Sequence, residues 1–210
     1  MTRSDADQAA LAEAKRALRR AVLLRRASRN VEDRTADDEA RLAVLVETLH
    51  DRLPDTVAAY LSTDEEPDTL RLVAWLSARR VRVLLPVLTD GAGGRLPGPA
   101  WAAYAGPEAL RVGPLGLLEP ATTTLPATQL PEAELVVCPG LAANTRGDRL
   151  GRGGGWYDRA LVHAGQTAPV VMLLNRDELL AAIPTQPWDR RVDRLVTPDG
   201  VVDCEPPAHG

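Results

Sequence analysis

Two apolar runs, "TVAAYLS" (56–62) and "VRVLLPVL" (81–88), flank "PDTLRLVAWLSARR" (67–80), whose apolar residues recur at helical spacing. Runs this short and this apolar read as buried strands, and two of them joined through a helix make a β-α-β unit. The alternation continues downstream. "AELVVCPG" (133–140) and "APVVMLL" (168–174) are two more buried strands, and "DRLVTPDGVV" (193–202) is a final strand with a tight turn. Between them, helices are expected at 157–164 and 176–183. The stretch 90–99 reads as a turn-rich loop, and 109–120 as extended and proline-punctuated. A Rossmann-like α/β fold follows, with an open, mostly parallel sheet flanked by helices.

Ahead of the sheet, Leu11, Ala14, Leu18, Ala21 and Val22 recur at helical spacing, and predict an amphipathic helix over 8–29. A second is expected over 35–51, with Leu42, Leu45, Val46 and Leu49 inward and Pro54 closing the connection. We expect one α/β domain over 1–210, with 1–53 as a helical segment packed on it.

At 210 residues the chain can bury a sizeable core, and its net charge of −4 argues against a wholesale nucleic-acid binder. No apolar run approaches the ~20 residues a membrane span needs. The N-terminus is polar and acidic, unlike a secretory leader. Cys138 and Cys204 have no metal-ligand spacing around them, which suits a reducing compartment. A cytoplasmic protein is expected. Among its 25 basic residues Lys15 is the only lysine.

In open α/β folds ligands collect where loops leave the carboxyl ends of strands. "TRGDRLGRGGGWYDRAL" (145–161) occupies such a place, after the strand ending near Cys138. It is neither a Walker A loop nor a dinucleotide fingerprint. Gly151, Gly153, Gly154 and Gly155 can present successive N–H groups to an anion, with charge added by Arg149 and Arg152; a mobile glycine loop is the alternative. Trp156 and Tyr157 offer faces for a flat heterocycle, or else pack a helix start. Asp158 is a hard oxygen ligand beside a polyphosphate, or a carboxylate at a helix N-terminus.

Lys15 and Arg19 share one helix face and can reach one phosphate chain, or form part of a solvated basic face. The acidic stretch "STDEEPDT" (62–69) can cap a helix or accept from the N–H edge of a heterocycle. Either Asp189 or Asp193 could complete a metal site with Asp158. His50, His163 and His209 are scattered and carry no expected role.

These stretches together resemble the 5-formyltetrahydrofolate cyclo-ligases, also called 5,10-methenyltetrahydrofolate synthetases. The likeness rests on "KRALR" (15–19), "VAAYLSTDEEPDT" (57–69), "GPLGLLEP" (113–120), "VVCPGLAANTRGDRLGRGGGWYDRAL" (136–161) and "IPTQPWDRRVDRLVTPDG" (183–200), in order over nearly the whole chain. The resemblance implies an ATP- and Mg²⁺-dependent closure of 5-formyltetrahydrofolate to 5,10-methenyltetrahydrofolate, releasing ADP and phosphate. It implies attack of the formyl oxygen on the γ-phosphate, then ring closure by N10 with loss of phosphate.

It further implies ATP contacts at Lys15, Arg19, Arg149, Leu150, Gly151, Arg152, Gly153, Gly154, Gly155, Trp156 and Tyr157. Folate contacts would fall to Glu66, Trp101, Tyr104 and Tyr157, metal binding to Asp158 and Asp189, and catalytic roles to Arg149 and Tyr157. This chain departs from the family's pattern at Ala143-Asn144, Trp156 and Trp188. A sugar-phosphate isomerase or deaminase, needing a general base but no ATP, is one rival. A non-catalytic nucleotide- or RNA-binding module, suggested by the arginine-rich first helix, is the other. The main expectation is a monomer acting on small molecules, with neither a nucleic-acid nor a membrane partner.

Overall fold

The computed structural model describes residues 3–63 and 65–205, with the side chains of 3–5 and 115 set aside; Asp64 and His209 lie outside the described residues. Helix α1 (Arg3–Ser28) leads into α2 (Val31–Thr48). The second helix begins four residues earlier than its apolar spacing indicates, because Asn30 caps it. The Asn30 side chain accepts from the Asp33 N–H at 2.7 Å, and Glu32 and Asp33 fill the first turn.

The chain then runs through β1 (Thr56–Ala58), α3 (Leu70–Ala78), β2 (Arg82–Thr89), β3 (Arg95–Ala103), β4 (Leu110–Val112), β5 (Leu118–Pro120) and β6 (Leu125–Pro126). It continues with β7 (Leu135–Cys138), β8 (Ala142–Ala143), β9 (Arg149–Leu150), α4 (Trp156–Ala160), β10 (Val170–Leu173), β11 (Arg194–Thr197) and β12 (Gly200–Asp203). Eight strands form one sheet in the order β12-β11-β10-β7-β1-β2-β3-β6. The five from β11 to β2 are mutually parallel, and the three outer strands run antiparallel to their neighbours. This is the expected mostly parallel α/β sheet.

Successive strand residues alternate between two cores, as a pleat of period two requires. Val57, Val83, Leu85, Val137, Val171 and Leu173 pack with Leu45 and Leu49 of α2 and with Leu72, Val73 and Leu76 of α3. Ala58, Leu84, Val136, Cys138 and Met172 face the other side, against Trp101 and against Ala160 and Leu161 at the end of α4. Helix α1 lies elsewhere: Val22 is fully buried against Leu141, Ala142, Leu150 and Ile183, over the loops that leave the carboxyl ends of the parallel strands.

Three local expectations are corrected. The stretch 90–99 is a loop only at its start, since β3 begins at Arg95. Asp90 closes the turn by accepting from the N–H groups of Ala92 and Gly94. Pro97, Gly98 and Pro99 lie where the β2–β3 register shifts, and a ladder interrupted there tolerates residues that cannot donate to it. The helix expected over 176–183 is one 3₁₀ turn, Arg176–Glu178, after which Leu179 bridges to Ala143 and the Leu180 N–H donates to its carbonyl. Finally, Ala14 and Ala21 of α1 are exposed. The inward stripe there runs through Lys15, Leu18, Val22 and Arg26.

Candidate active site

A cleft of about 1270 Å³ opens at the carboxyl ends of β1, β2 and β7, where a parallel sheet leaves loops free to meet a ligand. Four walls enclose it: Lys15 and Arg19 from α1, Tyr60, Leu61, Thr63 and Glu66 after β1, Leu117 to Glu119 at the β5 hairpin, and Arg149 to Arg159. Gln186 to Arg190 close one end. The phosphate-type and folate-type residues inferred from sequence thus fall in one cavity, with two exceptions among the aromatics.

Lys15, Arg19, Arg149 and Arg152 each have a defined partner in the cleft. Lys15 Nζ donates to Asp189 Oδ2 at 2.5 Å and to Gln186 Oε1 at 3.2 Å. Asp189 Oδ2 also accepts from the Gln186 N–H at 2.7 Å. Arg19 Nε donates to the Gly151 carbonyl at 2.8 Å, pinning the glycine loop to the first helix. Arg149 is buried; its Nη2 reaches Asp158 Oδ1 at 2.5 Å and its Nε the Arg190 carbonyl at 3.1 Å. Arg152 Nε donates to Glu66 Oε1 at 3.0 Å, bridging the glycine loop to the loop after β1, while Glu66 Oε2 accepts from the Thr63 N–H. Cations and carboxylates are therefore interleaved along the cleft.

Glycine is required at two points of the loop, since Gly153 has φ 105° and Gly155 has φ 64°, a region L side chains rarely enter. Gly155 stands at the N-terminal end of α4. A Cβ on Gly153 would also come within 3.4 Å of the Arg19 guanidinium.

Trp156 and Tyr157 follow, with ring centroids 4.8 Å apart, and Trp101 packs edge-on behind Trp156 at 5.1 Å. Both Trp156 and Tyr157 line the cleft, yet Trp156 Nε1 and the Tyr157 hydroxyl are buried with no hydrogen-bond partner among the described residues. Burial pushes the Tyr157 hydroxyl well above its ordinary range, so it stays a neutral donor. Beneath them the Cys138 thiol is pushed up to about 11 by burial and stays protonated.

Trp101 and Tyr104, assigned to the folate pocket by resemblance, do not line the cleft. Trp101 is wholly buried as the backing of Trp156, and Tyr104 packs beside the core on the α2–α3 face. The choice left open between Asp189 and Asp193 is narrowed by geometry. Asp189 is at the cleft, whereas Asp193 is bonded to the Val170 N–H at the opposite end of β10. His163 lines the cleft; His50 follows α2, outside it.

Sequence reasoning missed Tyr60, Glu119 and Gln186. Tyr60 was findable as the residue just past a parallel strand. Glu119 is buried, and burial alone would raise its carboxyl. Hydrogen bonds from Thr89, the Leu88 N–H and Arg111 outweigh that and hold it below its ordinary value. It fastens the β4–β5 hairpin to the end of β2.

The departures from the family's pattern also find places. Asn144 is buried and turns the chain between β8 and β9, its side chain accepting from the N–H groups of Arg146 and Asp148. It does not line the cleft. Trp188 is exposed on the cleft rim beside Asp189.

Among the described residues no three His, Cys, Asp or Glu side chains cluster to hold a metal. Asp158 and Asp189 instead stand singly, each against a cation. That donor set fits a divalent ion that brings phosphate oxygens as its remaining ligands, and does not fit an all-protein cage.

Fold and cleft define an α/β enzyme with its site at the strand ends. The fold is shared with two solved structures. The 5,10-methenyltetrahydrofolate synthetase of Aquifex aeolicus superposes with a TM-score of 0.77 at 24% identity, covering 93% of this chain and 95% of that one. The synthetase of Mycoplasma pneumoniae gives 0.68 at 19%, covering 88% and 98%. In sequence, the 5-formyltetrahydrofolate cyclo-ligase of Mycolicibacterium smegmatis is 42% identical over 144 residues, 68% of this chain and 73% of its own length. That of Escherichia coli K12 is 33% identical over 148 residues, 70% and 79%. The model of the 5-formyltetrahydrofolate cyclo-ligase family matches residues 11–198. The chain belongs to that family, and is a ligase.

Proposed function

We propose that this enzyme closes 5-formyltetrahydrofolate to 5,10-methenyltetrahydrofolate at the expense of ATP, with Mg²⁺, releasing ADP and phosphate. The observation that carries the reading is that Lys15, Arg19, Arg149 and Arg152 line a single cleft together with the glycine loop, Asp158, Glu66 and Tyr60. Four cations around backbone N–H groups suit a triphosphate, and guanidinium forks suit its oxygens. The aromatic and carboxylate wall suits a pterin, which offers a flat face and an N–H edge.

The formyl oxygen attacks the γ-phosphorus and the bond to ADP breaks. The phosphorylated formyl carbon is then electrophilic enough for N10 to attack. N10 loses its proton, the carbon–oxygen bond breaks, and the former formyl oxygen departs in phosphate, whose oxygens can take up that proton. Arg149 and Arg152 neutralise the transferring group, Lys15 and Arg19 hold the phosphate chain, and Glu66 and Tyr157 orient the folate. Asp158 and Asp189 would hold the cation, which supplies charge neutralisation at the phosphates. Most of the acceleration comes from positioning two substrates and cancelling charge.

The first helix argues against an RNA-binding module, because Lys15, Arg19 and Arg26 turn into the protein instead of forming a solvated stripe. No helix among the described residues is long and apolar enough to cross a membrane, and we read the enzyme as a cytoplasmic monomer acting on small molecules. Purified protein given 5-formyltetrahydrofolate, ATP and Mg²⁺ should develop the near-ultraviolet absorbance of the methenyl product in step with ADP. Folded protein at high concentration that forms neither product would refute the proposal.

A further inference from the structure

Arg26 lies outside the cleft, yet it is 1% exposed and carries a charge. Its Nε donates to Glu178 Oε1 at 2.6 Å and its Nη2 to Glu178 Oε2 at 2.9 Å, a two-pronged fork, while Nη2 also donates to the Gly140 carbonyl at 2.8 Å. Glu178 is equally buried, and its carboxylate accepts from the Asn175 N–H and side-chain amide as well. Asn175 in turn accepts from Arg41 of α2, and Arg41 donates to the Leu174 carbonyl. One buried network thus joins both N-terminal helices to the chain leaving β7 and β10.

The positions 15, 19, 22 and 26 are spaced four, three and four apart, so Lys15, Arg19, Val22 and Arg26 form one face of α1. Val22 fixes which way that face points, but an apolar contact resists sliding along the helix axis only weakly. The Arg26 fork is directional and resists it. The contacts at the other end of the face are the ones a nucleotide must take over, since phosphate oxygens would replace Asp189 around Lys15. Arg26 and Glu178 lie outside the cleft, although Gly140, whose carbonyl also accepts from Arg26, lines it.

We propose that Arg26 is a positioning residue for nucleotide binding: through Glu178 and the Gly140 carbonyl it sets the axial register of α1, and with it the reach of Lys15 and Arg19. This rests on the reading that those two side chains meet the phosphates of ATP. It assigns to a buried ion pair a functional task that its own stability contribution does not require, since such pairs are often replaceable by neutral groups without loss of stability.

The test uses Arg26→Met/Glu178→Gln, which removes both charges together while an amide at 178 can still accept from the Asn175 N–H. Arg20→Met, on the exposed side of α1, is the control. We expect the double variant to melt cooperatively, with KM for ATP raised about tenfold or more and KM for the folate moved less than about twofold. The upward melting shift that Mg-ATP gives the wild type should shrink in parallel. Lys15→Ala should then add little in the double-variant background, because both act on one contact.

An unchanged ATP KM in a folded variant, or full additivity with Lys15→Ala, overturns the proposal. So does a loss of ATP and folate affinity in equal proportion. If the double variant does not fold, Arg26→Lys, which keeps the charge and loses the fork, should show the same split. Failure of that variant to fold as well would make the pair purely structural and overturn the proposal. A wild type whose melting Mg-ATP leaves unmoved would instead sink the underlying reading of Lys15 and Arg19.

Discussion

Lys15 Nζ and Asp189 Oδ2 meet at 2.5 Å across 174 positions of sequence, both side chains largely buried on the cleft wall. The pair recurs in kind at Arg149–Asp158 and Arg152–Glu66. In each, a cation suited to phosphate is held by a carboxylate to which the proposed function gives a use of its own, with the metal or the folate. The free protein thereby avoids both a repelling cluster of positive charge and unpaired buried ions.

Lys15→Ala should lower kcat/KM for ATP about tenfold or more, whereas Arg16→Ala, which pairs with the exposed Glu13, should change it less than about twofold. Steady-state kinetics with ATP varied decide between them. Equal effects would leave Lys15 with its pair to Asp189 but no role at the phosphates.

Asp158→Asn and Asp189→Asn should each raise the Mg²⁺ concentration for half-maximal rate, about tenfold or more at fixed ATP. A titration of Mg²⁺ against initial rate measures this. If both variants lose rate with an unshifted Mg²⁺ midpoint, the carboxylates serve only their basic neighbours.

Two glycines should separate folding from binding. Gly147 has φ 78°, and a Cβ there would lie 2.1 Å from the Val192 carbonyl oxygen, so Gly147→Ala should cost about 2 kcal/mol or more of stability. Gly154 has open space around its would-be Cβ and no positive φ. Gly154→Ala should therefore melt like the wild type and yet bind ATP less tightly, as calorimetry and thermal melts can show. A Gly154→Ala enzyme with unaltered ATP affinity would place the nucleotide elsewhere.

Acid should reveal Asp148. Burial opposes its charge, but Asn144, Arg146 and Arg191 outweigh burial and hold the carboxyl below its ordinary value. A depressed folded pKa stabilises above the unfolded value of about 3.9, and that stabilisation drains away as pH falls through the lower, folded one. Asp148→Asn should melt below the wild type at pH 7. The gap should close as pH drops under the carboxylate range, and a gap independent of pH would contradict the assignment.

The parallel sheet was legible because its strands are apolar at consecutive positions, and Val57 through Ala59 or Leu135 through Cys138 can mean little else between turn signals. The face of α1 was not legible. Periodicity marks apolar residues as inward, so Ala14 and Ala21 were placed inside, while the buried positions are Lys15, Val22 and Arg26. A basic residue becomes a core residue only when its carboxylate arrives from far along the chain, and Glu178 is 152 positions away from Arg26. Trp101 misled for the converse reason: its ring backs the site, and nothing local distinguishes a ring that touches a ligand from one that supports it. Glu66, Asp158 and the glycine loop, which the resemblance carries as one set, line one cleft.

Helix α1 lies over loops that are made much later than itself. Lys15 is translated 174 positions before Asp189, a separation the ribosome covers in roughly 9–35 s. Until residues 140–150 are made, the face through Lys15, Val22 and Arg26 lacks the partners named above, and the nascent chain has to keep it dispersed. A chain halted before Glu178 holds most of the parallel sheet but not the anchor of its first helix.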